Sequence, residues 1–165
     1  MSRTESYLKE AFAGESQANQ KYLAFAAAAD KEGYKQVARF FRAAAAAETV
    51  HAANHLRVLK GVKSAAENLK EAITGETFEF EKMYPEMIEA AIEEGNRDAE
   101  RSFNYANEVE QVHARIYQSL FDSMDKQEEG YPYYVCPVCG YTAEKEPPGS
   151  CPVCGTKGSL FQKID

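Results

Sequence analysis

Two copies of a Glu-x-x-His motif are the residues of this sequence best suited to metal chemistry. The first copy is Glu48-x-x-His51, and the second, 62 residues later, is Glu110-x-x-His113. Residues three apart share one face of a helix, and both motifs fall on stripes of otherwise apolar residues. A carboxylate on a buried stripe is unfavourable unless another group pairs with it. The motifs therefore predict a pair of metal ions held between helices.

The helices that carry these motifs form an internal repeat. The segment Tyr7 to Ser16 matches the segment Asn68 to Thr77 at an offset of 61 residues, whereas the motifs match at 62. We therefore predict two helical hairpins, each with one lone glutamate (Glu15 or Glu76) and one Glu-x-x-His. The offset changes within residues 77–84, which predicts a local helix irregularity such as a π-bulge.

The combined pattern is typical of ferritin-like carboxylate bundles, in which two helices each give a glutamate and two others each give a Glu-x-x-His. Such oxygen-rich sites with two imidazoles suit iron or manganese, and zinc also fits. Glu79 lies one helical turn after Glu76, but its repeat counterpart is Ala18, so the predicted metal pair is asymmetric. Tyr22 and Tyr84 correspond in the repeat, either as hydrogen-bond donors to metal-bound carboxylates or as core tyrosines.

The cysteines form a second candidate site near the C-terminus. The sequence Cys-Pro-Val-Cys-Gly occurs twice and contains all four cysteines: Cys136, Cys139, Cys151 and Cys154. This spacing predicts a tetrahedral four-thiolate site for iron or zinc in a reducing compartment. The segment is too short to build an adequate core alone, so the metal must stabilise its fold. We predict a helical bundle at 1–127, a linker at 128–133 and a metal-binding domain at 134–165.

Composition and charge argue against several classes of partner. The 165-residue chain has a net charge of −7 and no basic patch, so nucleic acid is an unsuitable partner. No apolar run approaches the roughly 20 residues that span a bilayer. No signal peptide is visible at the N-terminus, so we expect a cytoplasmic protein without a membrane anchor.

These motifs, in this order, resemble the rubrerythrin family over essentially the whole chain. The resemblance implies an all-α four-helix bundle of the ferritin-like class, followed by a small rubredoxin-like metal-binding β domain. It also implies a non-haem di-iron peroxidase that reduces hydrogen peroxide to water in defence against oxidative stress. The alternatives are a ferroxidase that stores or detoxifies iron and a passive zinc-binding module. The cysteine site disfavours storage, because storage needs no attached electron donor.

The resemblance further implies roles for individual residues. One iron would be bound by Glu15 and His51, and this iron would exchange His51 for Glu79 on oxidation. The implied ligands of the iron pair are Glu15, Glu48, His51, Glu76, Glu79, Glu110 and His113, with Glu48 and Glu110 as bridges. The four cysteines would hold a third iron that receives electrons from a rubredoxin or an NAD(P)H-dependent reductase. The implied catalytic residues are His51, Glu79, Tyr22 and Tyr84.

The connection between the hairpins predicts a dimer. Ferritin-like topology makes the second and third helices parallel, with Glu48 and Glu76 at one site. Glu48 lies 13 residues before Gly61, and Glu76 lies 12 residues after Ser64. At ~1.5 Å per helical residue the connection must retrace about 38 Å, whereas four residues reach roughly 14 Å. We therefore predict a homodimer whose chains exchange hairpins.

Overall fold

A computed structural model gives the structure of residues 2–126 and 130–165. The chain divides into two compact units, residues 1–63 and 64–165, and each unit is described by itself. Residues 127–129 lie outside the described residues, and they include the first two residues of the linker predicted at 128–133. The boundaries of the predicted regions therefore stay a prediction.

The first unit is a hairpin of two long helices, α1 (Arg3–Lys31) and α2 (Lys35–Val58). Ser2 caps α1, because its side chain accepts a hydrogen bond from the backbone N–H of Glu5 at 3.1 Å. Gly33, in the turn between the helices, has a φ of +87°, which favours glycine. The buried residues of the two helices are alanines, whose small side chains allow close approach: Ala26, Ala29, Ala38, Ala45 and Ala52.

The residue that adopts the left-handed conformation after α2 is a lysine and not the glycine that follows it. The helix ends at Val58, and Lys60, rather than Gly61, has a positive φ of +55°. The N–H of Gly61 bonds the carbonyl of Leu56 at 3.0 Å. A Cβ at Gly61 would collide with the Leu56 side chain. A larger residue at this position would therefore require the Leu56 side chain to move.

The second unit begins with three helical segments in one continuous run. These are α3 (Ala65–Phe78), a π-helical turn (Glu79–Met83) and α4 (Tyr84–Glu93). Ser64 and Glu67 form a capping box at the start of α3. The last helix, α5 (Arg97–Asp122), is capped by Asn96, whose side chain accepts a hydrogen bond from the backbone N–H of Ala99.

The π-helical turn confirms the helix irregularity predicted from the change of repeat offset. The N–H of Tyr84 bonds the carbonyl of Glu79, five residues earlier, so one extra residue is contained in this turn. Pro85 follows directly in the first turn of α4, where a missing N–H is tolerated. The extra residue of the second repeat copy is therefore accommodated within this turn, between Glu76 and Tyr84.

A small antiparallel sheet follows α5 within the second unit. Its strands are β1 (Tyr133–Val135), β2 (Thr142–Glu144) and β3 (Gln162–Ile164), in the order β2-β1-β3. The two cysteine motifs lie in the loops around this sheet. The sheet packs against α5 through β2. None of the helices described here combines the length and apolar character needed to cross a membrane.

Asn19 joins the two helices of the first unit one turn after Glu15. Its Nδ2 donates to the carbonyl of Ala45 at 2.7 Å and to Thr49 Oγ1 at 2.8 Å. We expect Asn19→Ala to lower the free energy of unfolding by about 1 kcal/mol, because two inter-helix hydrogen bonds are lost while helix propensity rises slightly. Urea denaturation measures this change. Gln17→Ala, on the exposed side of α1, is the control, and equal stability of the two variants would contradict the role of Asn19.

Candidate metal centres

In the first unit, one glutamate of α1 meets the Glu-x-x-His of α2. His51 Nδ1 lies 2.9 Å from Glu48 Oε2 and 3.9 Å from Glu15 Oε1. One ligand atom from each of the three residues lies within 4.8 Å of the other two. The triad is open on one side, since the His51 side chain is 53% exposed. This arrangement can hold one metal ion between the helices of the hairpin.

The second unit repeats this arrangement with α3 and α5. His113 Nδ1 lies 2.7 Å from Glu110 Oε2, and Glu76 completes a triad whose ligand atoms again lie within 4.8 Å of one another. The same imidazole nitrogen faces the same carboxylate oxygen as in the first unit. The second triad is better covered, since the His113 side chain is 29% exposed. The predicted ligands thus form two equivalent triads, one in each compact unit.

The carboxylates within each triad repel one another. Burial, followed by contact with Glu110, raises the pKa of Glu76 to about 7. The pKa of Glu110 is lowered, chiefly because His113 hydrogen-bonds to its charged form. In the first unit, contact with Glu48 raises the pKa of Glu15. A cation between the paired carboxylates would remove this repulsion, so the donor set fits a metal ion.

The four cysteines form a third cluster in the loops around the sheet. The Sγ atoms of Cys136 and Cys154 are 3.6 Å apart, and those of Cys139 and Cys151 are 3.5 Å apart. Four sulfurs placed ~2.3 Å from a tetrahedral metal are separated by about 3.7 Å. The spacing of the free thiols therefore fits one metal ion.

The glycine after each cysteine pair explains the repeated motif. Gly140 and Gly155 have positive φ angles of 83° and 77°. Their N–H groups bond the carbonyls of Cys136 at 3.0 Å and Cys151 at 2.9 Å. Each loop therefore turns back on itself and presents both of its sulfurs to the same point.

The other predicted site residues lie near the second triad or in the aromatic core. Glu79 opens the π-helical turn outside the triad, and burial, followed by the charge of Glu110, raises its pKa. Burial, followed by the same charge, raises the pKa of Tyr84, whose ring also packs against Phe103. Tyr22 packs its ring against Phe41, with centroids 6.0 Å apart.

Three further residues near the metal ligands were not identified from the sequence. Thr142 Oγ1 lies 3.0 Å from His113 Nε2, and Thr156 Oγ1 lies 3.1 Å from Cys154 Sγ. Burial raises the pKa of the Cys154 thiol, but hydrogen bonds from Thr156 and from two other cysteines together outweigh burial and lower it to about 6. Burial, followed by the charges of the triad glutamates, raises the pKa of Tyr117. Of these three residues, only Tyr117 could have been identified from the sequence, because it lies on the same helical stripe as His113.

Comparison with known proteins decides the family. The family model described as "Rubrerythrin" matches residues 6–121, which include both triads. The chain belongs to the rubrerythrin family. A second model, "Rubrerythrin, rubredoxin-like domain", matches residues 134–162, which include the four cysteines.

Relatives in this family are similar over nearly the whole chain. Rubrerythrin-2 of Clostridium acetobutylicum is 37% identical over 175 residues, covering 96% of this chain and 95% of its own length. Nigerythrin of Nitratidesulfovibrio vulgaris is 37% identical over 161 residues, covering 89% of this chain and 79% of its own. The solved structure of nigerythrin in its fully reduced, all-ferrous state is 34% identical with a TM-score of 0.61, covering 99% and 88% of the two chains.

These similarities confirm the predicted fold class and cofactors of this rubrerythrin-family chain. Its helical part is of the ferritin-like class, and the small C-terminal sheet with its cysteine cluster is rubredoxin-like. The carboxylate–histidine triads and the four thiols provide sites for a pair of iron ions and for one separate iron ion.

The raised pKa of Glu76 predicts how the stability of iron-free protein depends on pH. An unfolded glutamate titrates near 4.5, whereas folded Glu76 titrates at about 7, so the folded state binds more protons between these values. The free energy of unfolding therefore falls as pH rises through this range. We expect Glu76→Gln to remove this contribution, so that the variant gains stability relative to the wild type as pH rises.

Urea denaturation of iron-free protein near pH 5 and near pH 7.5 measures the effect. The exposed Glu108 provides the control, and Glu108→Gln should leave the pH dependence of stability unchanged. The same slope in the wild type and in Glu76→Gln would show that Glu76 is not the titrating group.

Proposed function

We propose that this protein is a peroxidase that reduces hydrogen peroxide to water, with electrons entering through the rubredoxin-like domain. One observation carries the proposal. Within the unit 64–165, a carboxylate–histidine triad and a four-thiol cluster are joined by a hydrogen bond between His113 and Thr142. An attached thiolate iron is an electron-transfer site, and an iron-storing ferroxidase does not need one. The alternative function is therefore disfavoured.

The proposed ligand roles follow the two triads. Glu15 and His51 would hold one iron, Glu76 and His113 would hold the other, and Glu48 and Glu110 would be shared between them. When bound, a ferrous pair would supply two electrons and Lewis acidity for cleavage of the peroxide O–O bond. The carboxylates would neutralise the charge of the cations.

Glu79 and His51 act as alternative ligands of the first iron in this proposal. His51 is the more exposed histidine of the two triads, so it is held less firmly than His113. Glu79 lies on the π-helical turn, one helical turn beyond Glu76. Tyr84 keeps its proton at neutral pH because its pKa is raised, chiefly by burial. Its hydroxyl can therefore donate a hydrogen bond to a carboxylate, and we propose the same role for Tyr22.

The electron donor in this proposal is a rubredoxin or an NAD(P)H-dependent reductase. It would reduce the four-thiolate iron, which passes electrons to the iron pair. The free cysteines suit a reducing compartment, so we also propose a cytoplasmic location.

The function is tested by mixing fully reduced protein with hydrogen peroxide or with oxygen under otherwise equal conditions. The visible absorption of the ferric four-thiolate iron reports the oxidation. We expect peroxide to oxidise the protein faster than oxygen, and we expect Glu79→Ala to slow this reaction by about 10- to 100-fold. The matched control is Glu81→Ala, an exposed position in the same π-helical turn.

Two results would contradict the peroxidase assignment. Faster oxidation by oxygen, with iron accumulating in the protein, would favour a ferroxidase. A colourless protein with zinc in the four-thiolate site would remove the proposed electron path.

We also infer that two chains exchange hairpins to complete each iron pair. Ten residues separate Glu48 from the end of α2 at Val58, and eleven separate Ala65, the start of α3, from Glu76. For parallel helices the connection must span about 32 Å along the axis. The stretch from Val58 to Ala65 reaches at most about 25 Å. A second chain avoids this mismatch, because its hairpin can approach from the opposite direction.

The apolar surface of the first unit supports the same inference. Large apolar side chains are exposed on its two helices, among them Phe25, Phe40 and Val50. Helices of a bundle bury such residues against neighbouring helices. A hairpin from a partner chain would cover them and would bring the second triad to the first.

Co-expression of two complementary variants tests the exchange. One chain carries Glu48→Ala and His51→Ala, and the other carries Glu110→Ala and His113→Ala. In an exchanged mixed dimer, the intact first unit of one chain meets the intact second unit of the other. Random pairing makes half of the dimers mixed, so iron pairs should form in about a quarter of the sites.

Each variant expressed alone is the control and should form no intact iron pair. Iron content and peroxidase activity of the co-expressed sample measure the outcome. A mixture as inactive as the single variants would contradict the exchange, as would an intact iron pair in a monomer.

A further inference from the structure

A chain of hydrogen bonds links the rubredoxin-like sheet to the metal-binding triad of the same unit. His113 Nε2 lies 3.0 Å from Thr142 Oγ1, and this oxygen lies 3.2 Å from the carbonyl oxygen of Gly140. Thr142 is the first residue of β2, and Gly140 directly follows Cys139. The contact therefore joins two metal centres whose ligands are far apart in the sequence.

The hydrogen bond from the Thr142 hydroxyl to the Gly140 carbonyl sets the order of donors and acceptors in this chain. The carbonyl oxygen of Gly140 can only accept, so the Thr142 hydroxyl uses its single hydrogen to donate to it. The Thr142 oxygen must then accept a hydrogen bond from His113 Nε2–H. His113 therefore carries a proton on Nε2. Its Nδ1 donates to Glu110 Oε2 at 2.7 Å, and a metal ion would replace the proton of this hydrogen bond.

We propose that Thr142 is a positioning residue for His113, which it holds in the Nε2–H tautomer with Nδ1 directed at the iron site. This proposal rests on the assignment of His113 as an iron ligand made above. Metal-binding histidines commonly need a partner on their second nitrogen, which fixes the tautomer and the orientation of the ring. Thr142 supplies that partner from a different domain.

His51 and His113 differ in how many of their ring nitrogens have a hydrogen-bond partner. Within the described residues, the hydrogen bond and ion pairs of His51 involve Nδ1, and its side chain is 53% exposed against 29% for His113. His113 is held at both nitrogens, whereas His51 has more freedom to move. The sheet thus fastens the histidine that stays in place in the proposed mechanism.

The metal in the four-thiol cluster contributes to this positioning. The N–H of Gly140 bonds the carbonyl of Cys136 at 3.0 Å, and the N–H of Cys136 bonds the carbonyl of Tyr141 at 2.9 Å. These bonds fix the loop that ends at Thr142. A metal ion that ties Cys136 and Cys139 together therefore also holds Thr142 against His113.

Nitrogen NMR of the zinc-substituted, full-length protein tests the proposal. The chain has three histidines, so their imidazole signals can be assigned with single His→Gln variants. In the wild type we expect a protonated Nε2 and a zinc-induced shift of Nδ1 for His113. In Thr142→Val we expect solvent exchange of the Nε2 proton to rise by at least about 10-fold. Competition with a chelator should show a 10- to 100-fold weaker zinc affinity of the carboxylate site.

Two control variants separate positioning from a general loss of structure. Thr142→Ser keeps the hydroxyl and should retain the proton exchange and zinc affinity of the wild type. Ser159→Ala removes an exposed hydroxyl elsewhere in the same domain and should leave the His113 signals unchanged. The third histidine, His55, is not a proposed ligand, so its signals are an internal reference and should be the same in each of these variants.

Each contrary result has a distinct meaning. Unchanged proton exchange and zinc affinity in Thr142→Val would overturn the role of Thr142 while leaving His113 as a ligand. A zinc-induced shift on Nε2 would overturn the proposed tautomer. No zinc-induced shift on either nitrogen of His113 would overturn both the positioning and the ligand assignment. All of these readouts are independent of peroxidase turnover.

Discussion

Each hairpin holds two carboxylates beside a histidine, close enough that the charge of one opposes ionisation of the other. The effect is clearest for Glu76, whose pKa is raised to about 7 by burial and by Glu110. An ordinary helical hairpin would place such residues in solvent. Here they lie on the inner stripe, and the helix packing leaves them side by side. The fold is therefore complete only when a positive charge lies between them, which makes iron part of the structure as well as of the chemistry.

The rubredoxin-like domain has the same dependence on metal in a different form. Its sheet has three strands of three residues each, which is too little to form a core. The four thiols take the place of that core by gathering two loops at one point. Because the domain packs on α5, this metal-dependent fold is also part of the environment of His113. The two candidate metal centres of this unit are thus connected through the hydrogen bond between His113 and Thr142.

Much of the candidate site could be predicted from the sequence, because its ligands lie on regular helices or in a fixed motif. Glu48 and His51 share a helix face, and their repeat copies follow from the offset alone. The offset also located the π-helical turn between Glu76 and Tyr84. In these cases the information is local, since the spacing of the residues determines their direction.

Other features depend on contacts between distant segments and left no such signal. Thr142 contacts His113 only because β2 packs on α5, and Asn19 reaches Ala45 only because the alanines let α1 and α2 approach closely. The left-handed residue after α2 is Lys60 and not the glycine that follows it. Gly61 instead lies against the Leu56 side chain, a contact that the sequence pattern does not show.

The π-helical turn has a consequence for how the two halves of the helical region came to differ. One inserted residue in an α-helix would rotate every later side chain by about 100°. The wider turn takes up that rotation locally, so Tyr84 still corresponds to Tyr22 and α4 keeps its packing on α5. The inserted residue is therefore absorbed beside Glu79, the acidic group that replaces Ala18 of the first copy. The later ligands Glu110 and His113 keep their correspondence with Glu48 and His51, so one copy of a duplicated hairpin differs from the other without a change in the rest of its ligand set.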